Sequence, residues 1–217
     1  MRFTTIFFDL DDTLYPSHVG LWNAIKARMT DYMEERLRIP PTEIPALREK
    51  YYLQYGTTLR GLQANHVIDV QDYLAFVHDL PLEGYIRPNP ALDAMLGSIP
   101  LRKVVFTNAS RGHAERVLNC LGVSSRIDAI VDLFALEMAN KPEPAAYERA
   151  LKLAGESDPR VCVLADDLLR NLAPAKALGM TTVLVGPERQ DGVADVRIER
   201  IADLTRALPG LVARDDR

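Results

Sequence analysis

Asp9 and Asp11 close an apolar run, Thr107 and Asn108 close a second, and Asp166 and Asp167 close a third. A carboxylate can act as nucleophile, as proton donor and acceptor, or as ligand for a hard cation. Several carboxylates gathered at one spot repel one another, and a bound divalent cation relieves that repulsion. An all-oxygen donor set favours Mg²⁺, which keeps waters and usually engages a substrate phosphate. Lys141, in Asn140-Lys141-Pro142-Glu143-Pro144, offers the positive charge that a phosphate and an anionic nucleophile need.

These residues meet only if the three runs are neighbouring strands. Phe3 to Phe8 is short, apolar and continuous, as expected of a strand buried on both faces. Lys103 to Asn108, a weaker run within Asp128 to Leu136, Val161 to Leu164 and a last run at Thr182 to Val185 repeat the texture. Helical patterns lie between them: Ser110 to Leu121 closed by Gly122, Pro144 to Leu153 stopped by Gly155, and Leu168 to Leu178 with Pro174 inside. This alternation predicts an α/β fold, a Rossmann-like parallel sheet whose ligands bind at the carboxyl ends of the strands. Ser110 to Leu121 also contains His113, which, like His18 and His78, shows no partner pattern and receives no role.

The stretch between the first two strands reads differently. Trp22, Ile25, Met29, Tyr32 or Met33, and Leu37 mark one face of a long helix that Pro40-Pro41 ends. Helical patterns follow at Ile44 to Tyr55 and Val70 to Leu80, separated by a loop from Gly56 to Gly61, and Pro88 and Pro90 punctuate the return to the sheet. An all-helical block of roughly 70 residues exceeds any ordinary crossover, so residues 16–87 are expected to be an inserted helical cap and 1–15 with 88–217 the core. The tail 213–217 reads as a frayed end.

Asp9-Leu10-Asp11-Asp12-Thr13 resembles the DxDxT first motif of the haloacid dehalogenase-like (HAD) phosphohydrolases. Thr107-Asn108 resembles the second motif, Lys141 the third, and Asp166-Asp167 with Asn171 the fourth. The resemblance implies a C1-type cap and an aspartyl-phosphate mechanism. Asp9 is then the nucleophile and Asp11 the acid for the leaving alkoxide, then the base for water. Asp9, the Asp11 main-chain carbonyl and Asp166 hold Mg²⁺, with Asp167 and Asn171 behind them. Thr107, Asn108 and Lys141 bind the phosphoryl group, and Lys141 also offsets the charge on Asp9. Asn171 stands where many relatives carry a second acid.

Phe7 to Pro16, taken with Tyr55-Gly56-Thr57-Thr58-Leu59-Arg60-Gly61-Leu62 and His66, is similar to the pyrimidine 5′-nucleotidase group. That implies hydrolysis of UMP- or CMP-like nucleoside monophosphates, with Tyr55, Thr57, Thr58, Arg60 and His66 as cap residues near sugar, base or phosphate. A phosphatase of the same fold acting on a sugar phosphate or phosphoglycolate is the alternative. A phosphomutase, a phosphoacceptor signalling module and a non-catalytic interaction protein are weighed behind it.

Composition narrows the classes. The 217 residues carry 26 Lys+Arg and 30 Asp+Glu, a net charge of −4, with 47% hydrophobic and 26% charged residues. This is ordinary globular chemistry without the basic excess of a nucleic-acid binder, so a small phosphate ester rather than a polymer is the expected partner. No apolar run approaches the ~18 residues of a membrane helix. Cys120 and Cys162 are far apart, as reduced thiols would be, and a cytoplasmic setting is expected.

Overall fold

In the computed structural model, which describes residues 3–187, 192 and 194–212, the strand β1 (Thr5–Phe8) has all four residues buried. Burial on both faces places it in the middle of the sheet. It pairs in parallel with β2 (Arg102–Phe106) on one side and β4 (Cys162–Asp166) on the other, Phe7 opposite Val104 and Leu164. With β3 (Ala129–Val131), β5 (Thr181–Val185) and β6 (Val196–Ile198), the order is β3-β2-β1-β4-β5-β6, every pair parallel. This is the doubly wound order that reverses direction between β1 and β4. A ligand crevice opens at that reversal, outside the carboxyl ends of the strands.

The described chain divides into two compact units, 1–19 with 86–217 and 20–85. In the first, Phe7, Phe106 and Tyr147 form an edge-to-face series at 6.3 and 5.4 Å within the buried core. Its helices are α5 (Pro90–Ser98), α6 (Arg111–Leu121), α7 (Pro144–Ala154), α8 (Leu169–Ala177) and the short α9 (Leu204–Ala207). Gly122 and Gly155 end α6 and α7 in the left-handed conformation, as their placement after the last apolar residue suggests.

The second unit holds α1 (Leu21–Glu35), α2 (Ile44–Tyr55), α3 (Thr58–Asn65) and α4 (Val70–Val77). Tyr32 on α1 packs edge-on against Tyr73 and Phe76 of α4 at 5.0 and 5.4 Å. Arg48 of α2 donates to the Lys26 carbonyl and to Thr30 Oγ1 of α1, both at 2.9 Å.

Four local readings change. The expected loop Gly56 to Gly61 contains the start of α3: Gly56 ends α2 at φ 85°, and Thr57 caps α3 by accepting from the Arg60 N–H. Gly61 sits inside that helix because Tyr51 leaves no room for a side chain. A Cβ there would lie 2.1 Å from a Tyr51 ring carbon, so the glycine marks a close helix contact rather than a turn. Pro90 opens a helix, with Asn89 Oδ1 accepting from the Leu92 N–H, which is the use proline has at a first helical position. The long helix stops at Glu35, before Leu37, since Ile39 precedes Pro40 and must be extended, and Arg38 turns the chain at φ 56°. Thr182 to Val185 is not the last strand: β6 follows it, too short to stand out in the sequence. The tail 213–217 lies outside the described residues. Among those described, no helix is long and apolar enough to cross a membrane.

Candidate active site

β1 ends at Phe8, and the chain then folds into a tight turn in which the Leu14 N–H reaches the Leu10 carbonyl at 3.0 Å. Asp9 and Asp11 therefore share a neighbourhood because the backbone coils, not because both lie on an extended strand. Asp12, at φ 59°, takes the left-handed conformation that lets the turn form.

The end of β4 supplies Asp166, wholly buried, and the Lys141 ammonium joins the two strand ends. Lys141 Nζ donates to Asp9 Oδ1 and to Asp166 Oδ2, each at 2.7 Å, while Lys141 itself is 1% exposed. Burial works against the charge on Lys141, but Asp166 and Asp9 outweigh it and hold the ammonium above its ordinary range. Asp9 is pushed up to about 7, first by burial and then by Asp166 and Asp11, against the pull of Lys141. Asp167 rises further, to about 9, through burial and the charges of Asp9 and Asp166.

Lys141 is positioned by Asn108. The Lys141 N–H donates to Asn108 Oδ1 at 2.8 Å, and Asn108 Nδ2 donates back to the Lys141 carbonyl at 3.0 Å. Both ends of the Asn108 amide are thus engaged by one main-chain residue, so the side chain expected on the phosphate instead fixes the loop that carries the lysine. Thr107 is buried at the end of β2, and its Oγ1 accepts from the Ala109 N–H at 3.0 Å. Asn171 Nδ2 donates to both Asp166 oxygens, at 3.0 and 3.1 Å, and the Leu168 N–H reaches Asp166 Oδ1. A donor amide facing a carboxylate orients it and is not itself a metal ligand.

Asp9, Asp166 and Asp167 each offer a ligand oxygen within 4.8 Å of the others. Three carboxylates against one ammonium leave a deficit of two positive charges, which fits a divalent cation on hard oxygen donors. Asp167, expected behind the metal, belongs to this convergent set by position.

Three residues went unassigned in the sequence. Thr13 donates to Asp9 Oδ2 at 3.1 Å and lies 3.5 Å from Asp167 Oδ1. Tyr15 donates to Asp11 Oδ1 at 2.6 Å, and His113 Nε2 lies 2.9 Å from the same oxygen. Thr13 was visible as part of the first motif. No local signal points from His113 to a residue 102 positions earlier.

In the second unit, Tyr55, Thr57, Thr58 and Arg60 fall around the turn from α2 to α3, and His66 ends α3. Thr57 is the α3 cap, Thr58 is buried, and the His66 ring meets the Tyr51 hydroxyl at 3.1 Å. Tyr55 and Arg60 have partners there too: the Tyr55 hydroxyl accepts from Asn65 Nδ2 and Arg60 Nη1 donates to Gln63 Oε1, each at 3.5 Å.

A sequence profile described as haloacid dehalogenase-like hydrolase matches residues 3–179. The chain belongs to that family. Among curated proteins, "Phosphate metabolism protein 8" of Saccharomyces cerevisiae is 30% identical over 192 residues, 82% of this chain. The chain spans 60% of that relative's length. Among solved structures, a HAD phosphatase from Thermococcus onnurineus has a TM-score of 0.66 at 18% identity, covering 97% of this chain and 100% of the other. An L-2-haloacid dehalogenase from Xanthobacter autotrophicus follows at 0.62 and 15%, with the same coverage. At these identities the likeness establishes the HAD fold, and a fold hosting both chemistries leaves the reaction to be argued from the site.

Proposed function

We propose that this HAD hydrolase is a Mg²⁺-dependent phosphomonoesterase acting on pyrimidine nucleoside monophosphates through an aspartyl-phosphate. The observation that carries the reading is the buried Lys141 ammonium, 2.7 Å from both Asp9 and Asp166 beside a third carboxylate. Such a site is built to gather a divalent cation beside Asp9, and through that cation a phosphate. It suits phosphoryl transfer better than halide displacement, which has no use for a convergent acidic trio.

Asp9, the Asp11 main-chain carbonyl and Asp166 would hold Mg²⁺, with Asp167 beside them, and the ion supplies positive charge against the phosphoryl oxygens. Lys141 favours the ionised form of Asp9 and holds it in place, and Thr13 fixes its other oxygen. An Asp9 oxygen forms the bond to phosphorus as the bond to the ester oxygen breaks. The departing oxygen takes its electron pair with it and receives a proton from Asp11. Asp11 then takes a proton from water as that water attacks phosphorus and frees Asp9. Thr107, with the main chain at 107–108, borders the phosphoryl position, and Asn108 holds Lys141 to it.

The pyrimidine preference rests on the Tyr55 to Leu62 segment with His66. In this reading Tyr55, Thr57, Thr58, Arg60 and His66 are the residues that serve the substrate. A cytoplasmic setting accords with the two free thiols. Phosphate release from a panel of nucleoside monophosphates and sugar phosphates, with and without EDTA, tests the proposal. Fast release from UMP and CMP, lost on chelation, is the expected result. Equal rates on purine nucleotides remove the base preference, and activity indifferent to EDTA removes the metal.

A further inference from the structure

His113 is a histidine buried in the first turn of α6, its side chain fully out of solvent. Imidazole is costly to bury without a purpose, and its Nε2 is directed at one atom, Asp11 Oδ1, at 2.9 Å. The Tyr15 hydroxyl meets that same oxygen at 2.6 Å from the opposite end of the Asp11 to Tyr15 turn. Asp11 is the more exposed partner, with 15% of its side chain accessible. Two buried donors thus grip one oxygen of a carboxyl group that reaches solvent.

We propose that His113 and Tyr15 are positioning residues that lock the Asp11 carboxyl and make Oδ2 the oxygen that exchanges the proton during catalysis. The inference rests on the reading of Asp11 as acid and base in the proposed phosphatase reaction. An oxygen accepting from Tyr15 O–H and His113 Nε2–H is a poor place for a transferable proton, so the proton resides on Oδ2. In the first step the ester bond breaks, its electron pair stays on the departing oxygen, and that oxygen takes the Oδ2 proton. In the second step Oδ2 takes a proton from water as the new P–O bond forms and the bond to Asp9 breaks. Without the two clamps the carboxyl rotates, and a group that must meet two partners in turn is misplaced for both.

The sensitive readout is the leaving group. p-Nitrophenolate departs as a stable anion without a proton, whereas a nucleoside or alkyl alkoxide needs one. With Mg²⁺ present, His113→Ala and Tyr15→Phe should lower kcat on UMP and on an alkyl phosphate by about 10- to 100-fold, within the range of general acid catalysis. On p-nitrophenyl phosphate the same variants should release a fast burst of p-nitrophenolate equal to the enzyme concentration, followed by slow turnover. The first half-reaction is then spared and the water step is not. His113→Gln, which returns an amide donor near Nε2, should recover most of the loss.

A general folding defect removes the burst along with the turnover, so a p-nitrophenolate burst lost together with turnover, or no loss of turnover on either substrate type, overturns the inference. Tyr15→Phe removes a single oxygen and carries the test alone if His113→Ala fails to fold. Asp11→Asn run in parallel separates the two levels. If Asp11→Asn gives the burst and the clamps do not, positioning fails while the acid role stands. If Asp11→Asn shows no such selectivity, the reading of Asp11 itself fails.

Discussion

Replacing the proposed nucleophile should stabilise the metal-free protein. Asp9 has an ordinary value of 3.8 and is pushed up to about 7 in the fold, chiefly by burial. A folded-state pKa above the unfolded one means that the folded chain resists ionisation. The stability tied to the neutral carboxyl is complete below about pH 4 and is lost as pH rises through about 7. A lift of roughly three units, at about 1.4 kcal/mol each, totals about 4 kcal/mol. Under half of it is already lost at pH 5 and nearly all at pH 8. Asp9→Asn carries no charge at either pH and keeps an oxygen for Lys141 Nζ, so it should exceed the parent by those amounts while losing all turnover. Urea unfolding in EDTA, followed by circular dichroism, reads the difference. Trp22, the single tryptophan, lies in the 20–85 unit, so its fluorescence reports on the other part of the chain. With an m-value of about 2 kcal/mol/M the midpoint should rise by about 2 M at pH 8 and by less than about 1 M at pH 5. A variant no more stable than the parent at pH 8, or a gap that fails to widen from pH 5, refutes the reasoning.

Mg²⁺ should raise the melting temperature of the parent more at pH 8 than at pH 5, and that of Asp9→Asn much less, because the ion relieves the same repulsion; thermal scans at both pH values check this. Lys141→Met strands two buried carboxylates and should cost about 3–5 kcal/mol in urea unfolding at pH 8, with no detectable phosphate release. Asn108→Ala removes both bonds to the Lys141 main chain and should cost about 2–4 kcal/mol, with turnover falling although the lysine remains. Gly61→Ala forces a methyl against the Tyr51 ring and should destabilise the 20–85 unit by at least about 1–3 kcal/mol, read as an earlier Trp22 fluorescence transition.

The chemistry of the strand ends was legible because parallel strands are apolar until they stop, so Asp9, Thr107 and Asp166 stand out where each run breaks. Lys141 was legible only by its order among the motifs, since a loop lysine has no local signature. The partners of Asp11 were not legible. His113 reaches it by facing inward from the first turn of α6, and which face a capped first turn presents depends on helix packing across the sheet. Tyr15 sits four residues after Asp11, a separation that matters only once the chain coils after β1. Gly61 shows the opposite failure. Its lack of a side chain reads as a turn, yet the cause is a neighbour's ring at the same height on α2. That the sheet is parallel was legible from strands apolar on both faces, while β6 and the α5 start were hidden by their shortness and by a proline with two possible uses.

The Asn108 amide does for Lys141 what the next peptide along a strand would do, offering one donor and one acceptor to a single residue. The lysine is therefore registered to the tip of β2, and Asn140 Nδ2 of its own loop donates to the same Lys141 carbonyl at 2.9 Å. Residues 132–140 are themselves packed, with Leu133, Leu136 and Ala139 buried, so the ammonium is held from two sides, by the tip of β2 and by the core beneath its own loop. An insertion in that stretch must spare both supports if the charge is to stay at the same point.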